Sequence, residues 1–127
     1  MRARPKLVPA LLFLSALLLT ACNQKTDPVE ANLAALEQSC TQLAELEAYD
    51  VDSKILCACV TSKMRLNYSE EEQRVVAAVM ADGVKRFKAG NKHPTEKELI
   101  MLHSDLTAEQ SKIFARRISG EIIGCEP

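Results

Sequence analysis

Cys57 and Cys59, separated by one alanine, are the residues whose types and spacing come closest to a reactive pair. Two thiols at this spacing can exchange disulfides if a helix N-terminus or a nearby cation lowers the pKa of one of them. Lys54 and Lys63 are close enough in sequence to supply such a cation. On a helix, however, residues two apart point about 200° away from each other, which disfavours a bond between the two sulfurs. The spacing therefore favours structural disulfides to other cysteines, with thiol exchange as the alternative.

Other residue types give little support for an enzyme. His93 precedes a proline in a loop pattern, and His103 ends a short helix pattern, where a cation is favourable. The sequence contains no H-E-x-x-H, Cys-x-x-Cys, glycine-rich phosphate loop or G-x-S-x-G segment. Met64, Met80 and Met101 have side chains of the type that bind Cu(I), but each lies in or beside an apolar stripe, where methionine ordinarily fills the core. We therefore expect no catalytic residue, no metal site and no cofactor.

The start of the chain has the layout of a secretory signal. Arg2, Arg4 and Lys6 form a basic segment, and the following 13 residues, Leu7 to Leu19, are almost entirely apolar. This apolar run is shorter than the roughly 20 residues that a helix needs to cross a bilayer. The pattern therefore predicts a cleaved signal peptide and not a membrane-spanning anchor.

The segment Leu19-Thr20-Ala21-Cys22 resembles the lipobox of bacterial lipoproteins. The resemblance implies cleavage after Ala21, a diacylglycerol on the Cys22 thiol and acylation of the new amino group of Cys22. Because Asn23 and not an aspartate follows the cysteine, the resemblance also implies the periplasmic face of the outer membrane of a Gram-negative bacterium. More than one acyl chain is needed because a single chain binds a bilayer only reversibly.

The same resemblance defines the domain organisation that we expect. Residues 1–21 are the signal peptide, residues 22–27 are the lipidated cysteine with a short tether, and residues 28–127 are a single helical domain. The five residues of the tether that follow Cys22 span on the order of 17 Å when extended. The domain is therefore expected to lie close to the bilayer surface.

Four cysteines remain after lipidation of Cys22, an even number in a compartment that oxidises thiols. Two disulfides are expected, with two pairings open: Cys40–Cys59 with Cys57–Cys125, or Cys40–Cys57 with Cys59–Cys125. The first is weakly preferred, because Cys40 and Cys59 are equidistant from a turn near residue 50 if the flanking helices are antiparallel. Each bond is expected to contribute about 3 kcal/mol.

Amphipathic helical patterns occupy the rest of the chain, and no alternating pattern indicates a sheet. Capping residues and glycines mark the ends of these patterns. The predicted helices run from Asp27-Pro28 to about Ala48, from about Lys54 to Leu66, from Ser69 to Gly90, from Thr95 to Leu102 and from Thr107 to Gly124. The sequence therefore predicts an all-α fold, a small bundle of about five helices stapled by two disulfides. The helix that contains Cys57 is expected to be the most central, and the apolar stripe of the third helix extends to Phe87.

A cluster of basic residues follows near the end of the third predicted helix. Lys85, Arg86 and Lys88, with Lys92 after them, complement the helix dipole and improve solubility. The same cluster is a possible contact site for an acidic partner or for membrane headgroups.

Composition limits the function classes. The chain has 127 residues, of which 47% are hydrophobic and 26% charged, so it is too short for a multidomain enzyme. Removing residues 1–21 takes three of the 16 basic side chains and none of the 17 acidic ones, so the formal charge changes from −1 to −4. This acidic balance disfavours nucleic acid as a partner.

We therefore expect an outer-membrane-anchored periplasmic lipoprotein that acts as a non-catalytic protein-binding module. Its expected partners are the membrane, through the lipid anchor, and another envelope protein; no small-molecule substrate is indicated. One alternative is an inhibitor or immunity protein against a toxin or lytic enzyme, because an acidic helical domain can block a basic cleft. The other is a thiol–disulfide redox protein that uses Cys57 and Cys59.

Overall fold

The computed structural model describes residues 27–91 and 94–127. The predicted signal peptide, the lipidation of Cys22, most of the tether, His93 and the contact residue Lys92 lie outside these ranges. Within them the chain forms helices and no strand. The helices are α1 (Pro28–Leu46), α2 (Ser53–Asn67), α3 (Glu70–Lys88), α4 (Glu96–His103) and α5 (Ala108–Cys125). The predicted all-α, five-helix fold is confirmed for the described part of the chain.

Side-chain caps begin all five helices at positions that the sequence indicates. The Asp27 carboxylate accepts a hydrogen bond from the backbone of Val29, and Asp52 accepts from the backbone of α2 in the same way. Reciprocal capping boxes open the other three helices, and they pair Ser69 with Glu72, Thr95 with Glu98 and Thr107 with Gln110. Because each cap satisfies backbone N–H groups that lack a partner within the helix, these residues define where the helices start.

The helices pack around one cluster of buried side chains. The long helices α1 and α3 lie against each other, α2 packs on α1, and α4 packs on α3 and α5. Helix α5 also contacts α2, which closes the bundle. Helix α3 has seven buried residues and α2 has five, so the expectation that the Cys57 helix is the most central is wrong. The buried residues of α3 include all four of its valines, because this helix packs against both α1 and α4.

Two disulfides join α2 to its neighbours, but the preferred pairing is wrong. Cys40 of α1 is bonded to Cys57, and Cys59 is bonded to Cys125 at the end of α5. The Cα atoms are 5.7 and 5.8 Å apart, within the usual range for disulfides. The physical reason is the rotation of α2. Cys57 is fully buried on the core face of α2, whereas Cys59 is half-buried on the side that faces α5.

Polar contacts at one end of the bundle show how the helices are oriented. Arg65, near the end of α2, forms an ion pair with Glu30, in the first turn of α1. Arg117 of α5 donates hydrogen bonds to the Asn67 carbonyl oxygen (2.7 Å) and to a Glu72 carboxylate oxygen (2.6 Å). This end therefore contains the start of α1, the end of α2 and the start of α3.

Arg117 also stacks on a buried aromatic ring. Its guanidinium carbon lies 4.0 Å from the centroid of the Tyr68 ring, which packs in turn on Phe114. Burial raises the pKa of the Tyr68 hydroxyl to about 12. A cation over the face of a tyrosine that remains neutral is attracted by the ring quadrupole, so this stack fastens α5 to the turn between α2 and α3.

Candidate binding groove

A groove opens at the opposite end of the bundle, where α1 and α5 finish and α4 begins. Its volume is about 290 Å³. Apolar side chains from four helices form most of its wall: Leu43, Val76, Val79, Met80, Leu99, Ile118 and Ile122. Because α1, α3, α4 and α5 all contribute, the groove is produced by the packing of the bundle and not by any single helix.

Gly83 lies in the wall of this groove, in the interior of α3. A Cβ atom at this position would lie 3.7 and 3.9 Å from the two methyl groups of Leu43, which is ordinary van der Waals contact. No close approach of the backbone therefore requires glycine here. The absence of a side chain instead leaves open space between α3 and α1, and this space is part of the groove.

Two aromatic side chains stand at the edge of the groove. Tyr49, in the turn after α1, is 42% exposed, and Phe87, near the end of α3, is 46% exposed. The apolar stripe of α3 predicts Phe87 in the core, and that expectation is wrong because the ring lines the open groove near the end of α3. Exposed aromatic rings beside an apolar wall are typical of protein-binding surfaces.

Two carboxylates also line the groove, Glu47 at the end of α1 and Glu96 at the start of α4. Glu96 is open to solvent on one side, yet the protein around its carboxyl group raises its pKa by desolvation, and the charge of Glu47 raises it further. The same surroundings raise the pKa of the Tyr49 hydroxyl, through desolvation first and then through Glu47, with smaller contributions from Glu126 and Glu96. The polar side of the groove is therefore negatively charged.

Arg86 is the positively charged side chain in the described wall of the groove, and it already has a partner. Its Nε donates to Asp82 Oδ1 (2.8 Å), and His103 Nε2 donates to Asp82 Oδ2 at the same distance. Both bonds lower the pKa of Asp82, the one from His103 more strongly. The guanidinium of Arg86 is thus paired with Asp82, and this carboxylate connects the groove wall to His103 at the end of α4.

Comparison of the chain with protein-family models, with curated proteins and with solved structures gives no match. Among the described helices, none combines the length and the apolar character that spanning a bilayer requires.

The basic cluster near the end of α3 is divided by the fold. Lys85 and Lys88 are exposed, whereas Arg86 is half-buried, points to the groove and is paired with Asp82. The three residues are therefore not one continuous docking surface. Lys85 and Lys88 remain possible contacts for an acidic group.

The cysteines predicted as an alternative redox pair are not bonded to each other. Cys57 is bonded to Cys40 and has no exposed surface, and Cys59 is bonded to Cys125. Thiol exchange through this pair requires a bond that joins the two sulfurs directly. The observed bonds instead connect α2 to α1 and to α5.

The methionines considered as copper ligands differ in burial. Met64 and Met80 are buried in the core, and Met101 is 40% exposed on α4. Across residues 27–91 and 94–127, no group of three or more histidine, cysteine, aspartate or glutamate side chains is placed to hold a metal ion.

Sequence reasoning missed the groove and its polar residues. Glu47 and Glu96 each look like an ordinary solvated glutamate in the sequence, because they are brought to one groove only by the packing of α1 and of α4 on α3. The available signal was Gly83, since a glycine inside a strongly periodic helix costs stability and indicates a packing or functional reason.

Proposed function

We propose that this chain is a lipid-anchored lipoprotein of the bacterial envelope, and that its helical domain is a non-catalytic module that binds a protein partner in the groove. The observation that carries the proposal is the combination of an apolar wall, two exposed aromatic rings and two carboxylates in one concave site. Binding surfaces combine aromatic anchors with a polar rim in this way.

The size of the groove favours a protein over a small molecule as the occupant. A volume of about 290 Å³ is at the lower limit of the roughly 300–1,000 Å³ typical of small-molecule sites. One or two bulky side chains from a larger partner suit this volume better than a whole cofactor. The exposed rings of Tyr49 and Phe87 then provide contact area outside the groove.

The position of the groove also supports an anchored binding module. The tether leads into the start of α1, while Leu43 and Glu47 of the groove belong to the second half and the end of that helix. Helix α1 has 19 residues and is therefore about 28 Å long. A domain held by residues 22–27 can thus present the groove on the side away from the bilayer.

The lipid anchor has a direct test in Gram-negative cells that express the full chain. Metabolic labelling with palmitate is expected to mark the wild-type chain and not the Cys22→Ser variant. Outer-membrane fractions are expected to contain the wild-type chain alone. Label that persists in Cys22→Ser, or a wild-type chain without label, contradicts the anchor.

The binding groove is tested separately, by a photoreactive amino acid in place of Phe87 in the same cells. We expect one discrete crosslinked protein from this position. The same probe in place of Ile55, a 70% exposed residue of α2 outside the groove wall, is the control and is expected to give none. Adding Gly83→Leu, which fills the groove, should remove the Phe87 adduct. Equal adducts from both positions, or an adduct that Gly83→Leu leaves intact, contradict the groove as the docking site.

The acidic side of the groove supports a narrower form of this proposal, an inhibitor or immunity protein. Glu47 and Glu96 are suited to a basic surface, such as the cleft of an enzyme that acts on anionic polymers. In that case the crosslinked partner is a toxin or lytic enzyme, and the purified chain inhibits it. A partner that has no such activity contradicts the narrower form only.

A further inference from the structure

We propose that the groove recognises a protein segment in which a bulky apolar side chain is accompanied by a neighbouring arginine or lysine. This inference rests on the proposed function, because it specifies the chemistry of the partner at the same site. It assigns the apolar side chain to the wall beside Gly83, and it assigns the cation to the space between Glu47 and Glu96.

The charge of the groove favours a basic partner. Neither Glu47 nor Glu96 forms an ion pair with a residue of the described chain. Arg86, the cation in the described groove wall, is bound to Asp82. Glu47 has a hydrogen bond with the Tyr49 hydroxyl but no cation, so a partner without positive charge would cover two carboxylates whose charges are not balanced, which is unfavourable. A basic side chain offers each carboxylate a charge-assisted hydrogen bond.

Tyr49 stands beside the acidic side of the groove. Desolvation raises the pKa of its hydroxyl most, and the charge of Glu47 and a hydrogen bond to Glu47 raise it further, so the phenol is neutral near pH 7. A guanidinium or ammonium group placed between the carboxylates can therefore also approach a neutral, partly exposed ring. Cations over tyrosine faces are attracted, and arginine stacks better than lysine.

The apolar wall of the groove adjoins its acidic side. Leu43 of the apolar wall is one helical turn before Glu47, and Leu99 is one turn after Glu96. Residues three or four apart share a helix face, so each of the two glutamates is on the same face as an apolar residue of the wall. A single short segment can thus fill the wall with one side chain and reach the carboxylates with the next on the same face.

A peptide-binding measurement tests the pairing of apolar and basic groups. The full chain is placed in nanodiscs of phosphatidylcholine, whose zwitterionic headgroups do not attract a basic peptide, and empty nanodiscs serve as the blank. The probes are three fluorescein-labelled hexapeptides that each carry one phenylalanine, with an arginine, a glutamine or a glutamate three residues after it. Fluorescence anisotropy at pH 7 gives the three dissociation constants.

We expect the arginine peptide to bind about tenfold more tightly than the glutamine peptide, and the glutamate peptide to bind most weakly. Glu96→Gln should remove most of the arginine preference. Glu37→Gln removes the same charge from an exposed position in the middle of α1 and should leave the preference intact. Gly83→Leu should weaken the binding of all three peptides.

The dependence on pH provides a readout that a purely structural role of Glu96 does not produce. Because the pKa of Glu96 is raised, its carboxylate becomes protonated before an ordinary glutamate does as the pH falls. The affinity for the arginine peptide should therefore decrease as the pH is lowered through this pKa. The decrease should be smaller in Glu96→Gln, where Glu47 is the acidic group left in the groove wall; Tyr49 stays neutral as the pH falls and contributes nothing to the decrease.

The outcomes separate this inference from the proposed function. Equal affinities for the three peptides, together with a Phe87 crosslink in cells, would overturn the basic partner and leave the groove as a docking site. The absence of peptide binding, or preference for the glutamate peptide, also overturns the inference. The absence of a Phe87 crosslink in a chain with an unaltered groove overturns the groove as the docking site and with it the proposed binding function.

Discussion

Substitution of Gly83 by alanine is expected to stabilise the domain. Glycine inside a helix is less favourable than alanine by about 1 kcal/mol, because its backbone loses more conformational freedom on folding. The new methyl group would meet only Leu43 side-chain atoms, at 3.7 and 3.9 Å, so it introduces no strain. We therefore expect the free energy of unfolding to rise by about 1 kcal/mol and the midpoint temperature by about 5 °C.

The assay is urea and thermal unfolding of the oxidised chain, followed by far-ultraviolet circular dichroism. Gly120→Ala is the matched control, since a Cβ atom at this position in α5 meets nothing within 4 Å. Both variants should be more stable than the wild-type chain, but Gly83→Ala alone should weaken peptide binding, because its methyl group narrows the groove. A Gly83→Ala chain that is less stable than wild type, beside a Gly120→Ala chain that is more stable, would refute the reasoning. The space at Gly83 would then be required for packing.

Three further substitutions test the contacts that hold the bundle together. Replacing both Cys59 and Cys125 by serine should lower the free energy of unfolding by about 4 kcal/mol, because the bond closes a loop with a sequence separation of 66; a loss under 1 kcal/mol in urea would contradict this. Asp82→Asn should lower the free energy of unfolding by about 1 kcal/mol at pH 7. Since the bond from His103 lowers the pKa of Asp82, this stabilisation is fully present above the ordinary aspartate pKa and is lost as the pH falls through the lowered one. The difference between wild type and variant should therefore begin to decrease below about pH 4. Arg117→Lys should lower the free energy of unfolding by about 1 kcal/mol in the same assay, because an ammonium group cannot reproduce both the planar contact with the Tyr68 ring and the two hydrogen bonds. Unchanged stability would show that the stack contributes nothing.

The helices could be predicted because the signals that start them are local. Each capping box is complete within four residues, as Ser69 and Glu72 illustrate, and it forms in the same way whatever the rest of the fold does. The sequence indicates the C-terminal ends of the helices less precisely. Helix α1 stops at Leu46 and not near Ala48, because Ala48 adopts a positive φ of 54° and turns the chain.

The disulfide pairing could not be predicted because it depends on how each helix is rotated about its own axis. Equal distance from a turn favours Cys40–Cys59, but a rotation of α2 that buries Leu56 and Val60 also brings Cys57 toward α1. The buried face decided the pairing. An argument from that face, and not from distance to the turn, would have selected Cys57 as the partner of Cys40.

The groove could not be predicted for a related reason. Its acidic residues come from elements that are distant in the sequence, and nothing near Glu47 indicates that Glu96 will face it. The predicted basic cluster shows the opposite problem. Lys85 and Arg86 are adjacent in sequence, yet α3 directs them to different surroundings.

The two disulfides also determine which breaks in the backbone the molecule survives as one covalent unit. A cut anywhere between Cys40 and Cys57, or between Cys59 and Cys125, leaves two pieces that remain joined by a sulfur bridge. Between Cys40 and Cys125, the peptide bonds on either side of Ala58 are the exception, because they lie between the two covalent rings and inside neither. Tension applied to the two ends of the chain is transmitted through the two disulfides and the segment Cys57-Ala58-Cys59 between them. Helices α3 and α4, which supply most of the groove, therefore carry none of that tension, and the groove is mechanically shielded from force on the chain.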